Sequence, residues 1–340
     1  IMLKHHHLSE ISYNTQDDEF EYDTDEASLL IEAWQSEIIF TTFVQLFHAL
    51  ISNRNRMLKK HNKLYGSIII LDEVQAVPLR YWELINKALR YLVEKHNTYV
   101  IMVTASKPTM VDIDNSLIAE PQYYFGKMHR TKVFYDKTST SMDDLVARVN
   151  TDLQAGKSVL VVLNTKKCVK ECYDKLVNTR QSGIEYVFLT TDIIPITRLD
   201  RIESIRKCIG PQVVISTQLI EAGVDIDLDV VYRDIAPFDS IMQSAGRCNR
   251  NFRKDIGIVH VINLDNCKYA RQIYDHVLIE TSLRILGMYE EFDECQFLEI
   301  SDRYFNILKH KVIEDKDFMF SLYKLNYDDG NKAIDKSEER

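Results

Sequence analysis

With 340 residues, 45% apolar and 27% charged, the chain has the make-up of an ordinary soluble globular protein with room for two cored domains. No window approaches 18 uninterrupted apolar residues, and no short apolar run precedes a small-residue cleavage site, so neither a membrane span nor secretion is indicated. The net charge of −9 disfavours coating nucleic acid by bulk electrostatics, but leaves room for a local groove that grips one strand.

The six cysteines are scattered and form no Cys-x-x-Cys pair, so a zinc site lacks its second close pair and a reduced, cytoplasmic setting is expected. Cys168 and Cys172, four apart on an expected helix, read as half-buried thiols. His5-His6-His7 reads as surface rather than as a metal site. Seven acids between Asp17 and Glu26 read as a solvated loop, and a basic run follows from Asn53 to Lys63.

In chain order, short Val- and Ile-rich runs predict strands at Ile38–Phe40, Ser67–Leu71, Tyr99–Val103, Ser158–Leu163, Glu185–Leu189, Gln212–Ser216, Val230–Tyr232 and Gly257–Ile262. Being apolar on both faces, these runs fit buried parallel strands. Amphipathic stretches between them, Leu79–His96, Met142–Leu153, Lys166–Asn178, Ile196–Cys208 and Ser240–Asn249, predict helices. Pro78 and Pro195 stand at first-turn positions. The alternation predicts a doubly wound α/β protein with parallel sheets. The pattern lapses after Thr104, which places a boundary near residues 125–140 and divides the chain into 1–130, 131–267 and 268–340. In the last part strands are expected to stop, with helices over Lys268–Met288 and Asp302–Ile313 and a polar tail, Asn326–Arg340, that reads as disordered.

Asp72 and Glu73 end the strand Ser67–Leu71, the edge at which open α/β sheets bind ligands. There Asp72 would hold Mg²⁺ through its water shell and Glu73 would orient an attacking water. A solvated turn is the competing reading of an acid pair alone. Asn164 and Thr165 follow the strand Ser158–Leu163, and Ser216, Thr217, Gln218 and Glu221 follow Gln212–Ser216. Such hydroxyls and amides suit phosphate contacts that read no sequence. Asp225, after Gly223 and Val224, would reach a nucleotide ribose or order the arginines downstream. A turn or cap role competes with that reading. Gln243, Arg247 and Arg250, at offsets of four and three, share one face of the expected helix. A planar guanidinium there can neutralise charge developing on a γ-phosphoryl group. Gly246 costs that helix about 1 kcal/mol, which close approach to a ligand would explain.

Three segments carry a family resemblance: Ile70–Pro78 (ILDEVQAVP), Ser216–Asp227 (STQLIEAGVDID) and Gln243–Arg250 (QSAGRCNR). Together they resemble the superfamily 2 helicase of type I CRISPR systems, over roughly residues 36–265. The resemblance implies two RecA-like domains, the first truncated at its N-terminus, and a C-terminal helical segment. It implies an ATP- and Mg²⁺-dependent motor that is recruited by an RNA-guided complex to opened DNA and moves along the displaced single strand in antiviral defence. It also implies that Thr41 and Thr42, in the segment Thr41–Phe47, contact the single strand. Thr104 and Ser106, in the place of the family's Ser/Thr-Ala-Thr, would couple the acid loop to the second domain. Gln243, Gly223 and Asp225 fall to the nucleotide.

Three departures stand out. Ser244 holds the position where the family usually has Arg. Gln75 replaces the His or Asp common in the superfamily. No phosphate-binding loop precedes the acid pair, because Gly156-Lys157-Ser158 lacks the earlier glycine, which is Thr151, and leads into a strand. The chain is therefore expected to begin inside the first motor domain and, alone, to hydrolyse ATP poorly. No His-Asp dipeptide occurs, so the family's HD nuclease is expected to be supplied elsewhere or missing. A non-catalytic docking module and a superfamily 2 RNA helicase remain open as other readings.

Overall fold

The computed structural model describes residues 2–5, 29–52, 54–104, 115–221, 223–252 and 256–311. Ser106, His6, His7, the acidic run 17–26 and the tail from Asn326 lie outside the described residues. The chain falls into two compact units, one within Ile1–Thr104 and one within Asp114–Lys311.

In the first unit β1 (Met2–His5) runs parallel to β2 (Ile38–Thr41), and β3 (Ile68–Asp72) runs parallel to β4 (Tyr99–Val103). Helix α1 (Phe43–Ile51) starts where the Thr42 hydroxyl accepts the Gln45 N–H, and α2 (Asn55–His61) follows. Between β3 and β4, α3 (Trp82–His96) buries Trp82, Ile85, Leu89 and Leu92, a stripe at helical spacing. Asn97, in the left-handed region at φ 52°, ends α3 and turns the chain into β4. Strand β3 buries Ile69 and Leu71 but exposes Ile68 and Ile70. The expectation of strands buried on both faces therefore fails for β3, because among the described residues only one face is covered.

The second unit opens with α4 (Pro121–Phe125) and β5 (Thr131–Thr140), a ten-residue strand across the stretch expected to be a boundary. Then come α5 (Met142–Gln154), β6 (Val159–Val162), α6 (Lys166–Asn178), β7 (Glu185–Leu189), α7 (Pro195–Lys207) and β8 (Gln212–Ser216). After them follow β9 (Val230–Asp234), α8 (Phe238–Ala245) and β10 (Gly257–Leu264). The unit closes with α9 (Ala270–Ile273), α10 (His276–Leu286), β11 (Glu291–Asp293) and α11 (Phe297–Lys311).

Seven strands form one sheet in the order β11-β5-β10-β9-β6-β8-β7. All pairs are parallel except β11, which runs antiparallel to β5 with Phe292 opposite Val133. Strands thus continue past residue 268, a correction to the expected all-helical end. Strands β6, β8 and β9 are buried at every position, as helices on both faces require. A Ser141–Asp144 capping box starts α5, and the Thr165 hydroxyl caps α6 by accepting the Cys168 N–H. Cys168 and Cys172 point from α6 into the core, where burial pushes the Cys172 thiol up to about 12. Gly156-Lys157-Ser158 joins α5 to β6, and Lys157 pairs with Asp152 at 2.8 Å, so it is a helix-to-strand turn and no phosphate loop.

Candidate nucleotide and nucleic-acid site

In the first unit Asp72 is the last residue of β3, exposed, with Oδ1 accepting the Glu73 N–H at 3.1 Å. Glu73 stands in the left-handed region (φ 53°), a sparsely used conformation for a non-glycine residue that turns the chain sharply off the strand. Its Oε2 accepts a hydrogen bond from Gln75 Nε2. Gln75 Oε1 in turn accepts from the Thr104 hydroxyl at 2.7 Å. An amide both donates and accepts, so Gln75 links the acid loop to the end of β4, with its Nε2 given to the carboxylate and its Oε1 to the hydroxyl. Thr41 Oγ1 donates to the His5 carbonyl at 3.0 Å. The Thr42 oxygen caps α1, which leaves its own O–H to donate. Asp72, at the carboxyl end of a parallel strand, fits a Mg²⁺ bound through its water shell. Among the described residues no group of three or more His, Cys, Asp and Glu could hold a metal directly.

In the second unit β6 and β8 are neighbours, so the loops after them lie side by side, with Leu163 N–H bonded to the Ser216 carbonyl at 2.9 Å. Thr165 is part-exposed and Gln218 exposed at this edge, whereas Thr217 is largely buried. Asn164 and Ser216 face the core instead of a strand. Asn164 Nδ2 donates to Asp234 Oδ2 at 2.7 Å and to the Ile235 carbonyl, and Ser216 Oγ donates to the Leu189 carbonyl at 2.9 Å. Side chains whose polar atoms are committed inside a sheet layer cannot also meet a phosphate.

The arginine segment differs from its expectation. Helix α8 ends at Ala245, so Gln243 lies on it and Arg247 and Arg250 lie beyond it. Gly246 is the helix C-cap at φ −63°, so it ends the helix instead of weakening its interior, and a Cβ there would meet carbonyls of its own turn. Arg247 is 9% exposed and folds back on the loop after β8. Its Nε donates to the Ile220 carbonyl at 3.0 Å, and a terminal nitrogen donates to the Glu221 carbonyl. Arg250 is part-exposed, and its Nε lies 2.7 Å from Asp225 Oδ1. Asp227 accepts the Arg250 N–H at 2.7 Å. Gly223 sits at φ 69° with open space around it, so glycine is needed there for backbone conformation and not for clearance.

Beneath these loops lies a cluster that sequence reasoning missed. Arg233, at the fourth position of β9, has no exposed surface. Its neighbour Asp234 is buried, and burial raises its carboxyl to about 7 despite Arg233 and the donors of Leu264, Ile235 and Asn164. A Tyr-Arg-Asp at a strand end ordinarily reads as a solvated turn, and the long apolar run around it was the one available signal.

Residues 155–253 match a family model described as CRISPR-associated nuclease/helicase Cas3, C-terminal. These findings support a Cas3 helicase C-terminal portion. Relatives of the Cas3-like segment include the CRISPR-associated nuclease/helicase Cas3 of Haloferax volcanii, 30% identical over 348 aligned positions covering 73% of this chain and 37% of that protein. The protein of the same name from Methanothermobacter thermautotrophicus is 26% identical, covering 65% of this chain and 29% of its own length. The chain thus spans about a third of the length of these curated relatives. Among solved structures, that of T. fusca Cas3 with ATP superposes with a TM-score of 0.69 at 15% identity, covering 93% of this chain and 44% of that one. That likeness shows the fold, which is α/β with RecA-like domains.

Proposed function

We propose that this chain is the motor portion of a CRISPR-associated helicase, one that uses ATP and Mg²⁺ to move along single-stranded DNA opened by an RNA-guided complex. In this reading Asp72 holds the Mg²⁺ water shell and Glu73 orients the attacking water. Arg247 and Arg250 neutralise the γ-phosphoryl charge, with Gln243, Gly223 and Asp225 completing the nucleotide contacts. Thr41, Thr42, Thr165, Thr217 and Gln218 touch the strand backbone, Asn164 and Ser216 frame those loops from within, and Thr104 with Ser106 couples the acid loop to the rest. Bound ATP would supply the phosphoryl group whose transfer drives movement. Division into a first motor domain to about residue 130, a second to 267 and a C-terminal extension belongs to the same proposal.

One observation carries the reading. The Arg247 guanidinium is held by the carbonyls of Ile220 and Glu221, on the same loop that presents Thr217 and Gln218. A shift of that loop under a nucleic-acid backbone must therefore move the arginine, which is what a motor needs. Support for the CRISPR setting comes from the Cas3 relatives and from likeness to a chain in a structure titled CRISPR RNA-guided surveillance complex, pre-nicking.

The test is ATP hydrolysis with and without oligo(dT), on this chain and on a polypeptide extended upstream. Hydrolysis stimulated by the oligonucleotide in the extended protein, and weak or absent in this chain, is expected. An extended protein that folds and binds ATP but ignores DNA would end the motor reading.

A further inference from the structure

Arg233 is a charged side chain with no exposed surface, on a strand flanked on both sides within a seven-stranded sheet. Burying a guanidinium costs free energy that an apolar side chain would not, so its surroundings must recover that cost through charge and hydrogen bonds. They do so from five directions. Nε lies 2.9 Å from Glu221 Oε1, an ion pair by distance although the N–H is not aligned as a hydrogen bond to it. One terminal nitrogen donates to Asn164 Oδ1 at 2.8 Å and to the Asp234 carbonyl at 2.9 Å. The other donates to the Tyr274 hydroxyl at 3.0 Å and reaches Ser240 Oγ at 3.5 Å. Burial works against the charge, but Glu221, Tyr274 and Asp234 more than offset it, so Arg233 is held protonated.

Glu221 is the hub on the other side. Its carboxylate accepts from the hydroxyls of Ser240 and, at 3.0 Å, Ser244, both on α8, while its carbonyl accepts from Arg247. Ser244 has no exposed surface and donates to Glu221. The guanidinium facing Glu221 comes from β9.

We propose that Arg233 is a positioning residue: through Glu221 it fixes the 216–221 loop, and through Asn164 the loop after β6, so that Arg247 and both strand-facing loops move as one body. The proposal rests on the reading above, in which those loops touch single-stranded DNA and Arg247 faces the nucleotide. The guanidinium of Arg233 joins the two loops directly, since one terminal nitrogen meets Asn164 and Nε lies against the Glu221 carboxylate. Lysine, with a single nitrogen, cannot span both. Arg247 contributes to strand affinity through its hold on the Ile220 and Glu221 carbonyls, although it touches no strand.

The experiment measures binding of fluorescein-labelled oligo(dT) to this chain by anisotropy, beside thermal unfolding. It compares wild type, Arg233→Lys, the paired apolar variant Glu221→Met/Arg233→Met, Arg247→Ala, and the paired variant combined with Arg247→Ala. Replacing both members of the ion pair leaves neither of them charged without the other, while Asp234 loses the Arg233 charge that lowers its carboxyl, so the paired variant is expected to unfold somewhat below the wild-type midpoint and to stay folded at the assay temperature. Its affinity is expected to fall about tenfold nonetheless, and that of Arg233→Lys to fall similarly. Arg247→Ala should lower affinity about fivefold in the wild type and leave it unchanged in the paired variant, because residues acting through one network are non-additive. If the paired variant binds as wild type does, or if the two effects multiply independently, the positioning role is overturned while the motor reading stands. If the wild-type chain itself fails to bind oligo(dT), the reading and the inference fall together.

Discussion

Arg250 Nε lies 2.7 Å from Asp225 Oδ1, so the last arginine of the segment after α8 is aimed by the acid that follows Gly223 and Val224. Both side chains are substantially exposed, so the pair adds at most about 1 kcal/mol to stability. Asp225→Asn should therefore leave the unfolding midpoint nearly unchanged in calorimetry. Turnover in the extended protein should nevertheless fall, because Arg250 loses its aim. Arg250→Ala should fall further, by about 10³-fold, the scale of a lost arginine finger. Equal turnover in wild type and both variants would take this arginine out of the chemistry.

Glu73 and Gln75 make a second prediction. Glu73→Gln keeps an oxygen to accept the Gln75 amide but cannot orient and polarise water as a carboxylate does. In the extended protein ATP should still bind with little change while hydrolysis drops at least about 100-fold, the usual scale for a lost general base. Gln75→Leu should keep the carboxylate yet break the link to Thr104, lowering stimulation by DNA more than basal hydrolysis. Nucleotide binding by fluorescence together with ATPase rates separates the two variants.

How far the sequence discloses this molecule depends on how each element is stabilised. Strands β4, β7 and β8 and helix α6 were legible to the residue, because unbroken apolar runs and a Thr165 cap mark them locally. Strand β5 was hidden by Lys132, Asp136 and Lys137, which it tolerates because only β11 covers its outer edge. Helix α8 was read too long, since offsets of four and three fit a helix whether or not it continues. Gly246 as a stop signal was the better guide. The site residues that turned inward, Asn164 and Ser216, did so because their partners, Asp234 and Leu189, are supplied by distant strands that no local pattern reveals. Arg233 was missed for the same reason.

Gly257 opens β10 where the chain passes the arginine segment. A Cβ there would lie 2.6 Å from Cys248 Sγ and 2.8 Å from Asn249 Cβ, closer than real atoms approach. Its N–H also donates to the Arg130 carbonyl at 2.8 Å, so the backbone cannot simply retreat. Gly257→Ala should destabilise the chain by about 1–3 kcal/mol through overpacking. Urea unfolding of the two proteins measures the difference, and an unchanged midpoint would show that the Cys248 turn yields freely.

Lys60 gives a prediction about pH. It has no exposed surface, donates to Gln45 Oε1 at 2.8 Å, and lies 5.3 Å from the centre of the Trp34 ring. Burial, with Arg56 nearby, lowers its ammonium from the ordinary 10.5 to about 8, while Glu32 acts the other way. Between those two values the unfolded chain holds more protons than the folded one. Stability contributed by this group must therefore rise as pH climbs from about 8 towards 10.5, at up to about 1.4 kcal/mol per unit. Below pH 8 both states are protonated and the contribution is flat. Lys60→Met should remove the slope, and because Gln45 follows the Thr41–Thr42 segment, oligo(dT) affinity measured over the same range should lose any dependence that tracks it. Urea midpoints at pH 7.5, 8.5 and 9.5 decide the matter. If the wild type and Lys60→Met run parallel across that range, Lys60 stays charged in the folded chain and its pairing with Gln45 and Trp34 fully offsets its burial.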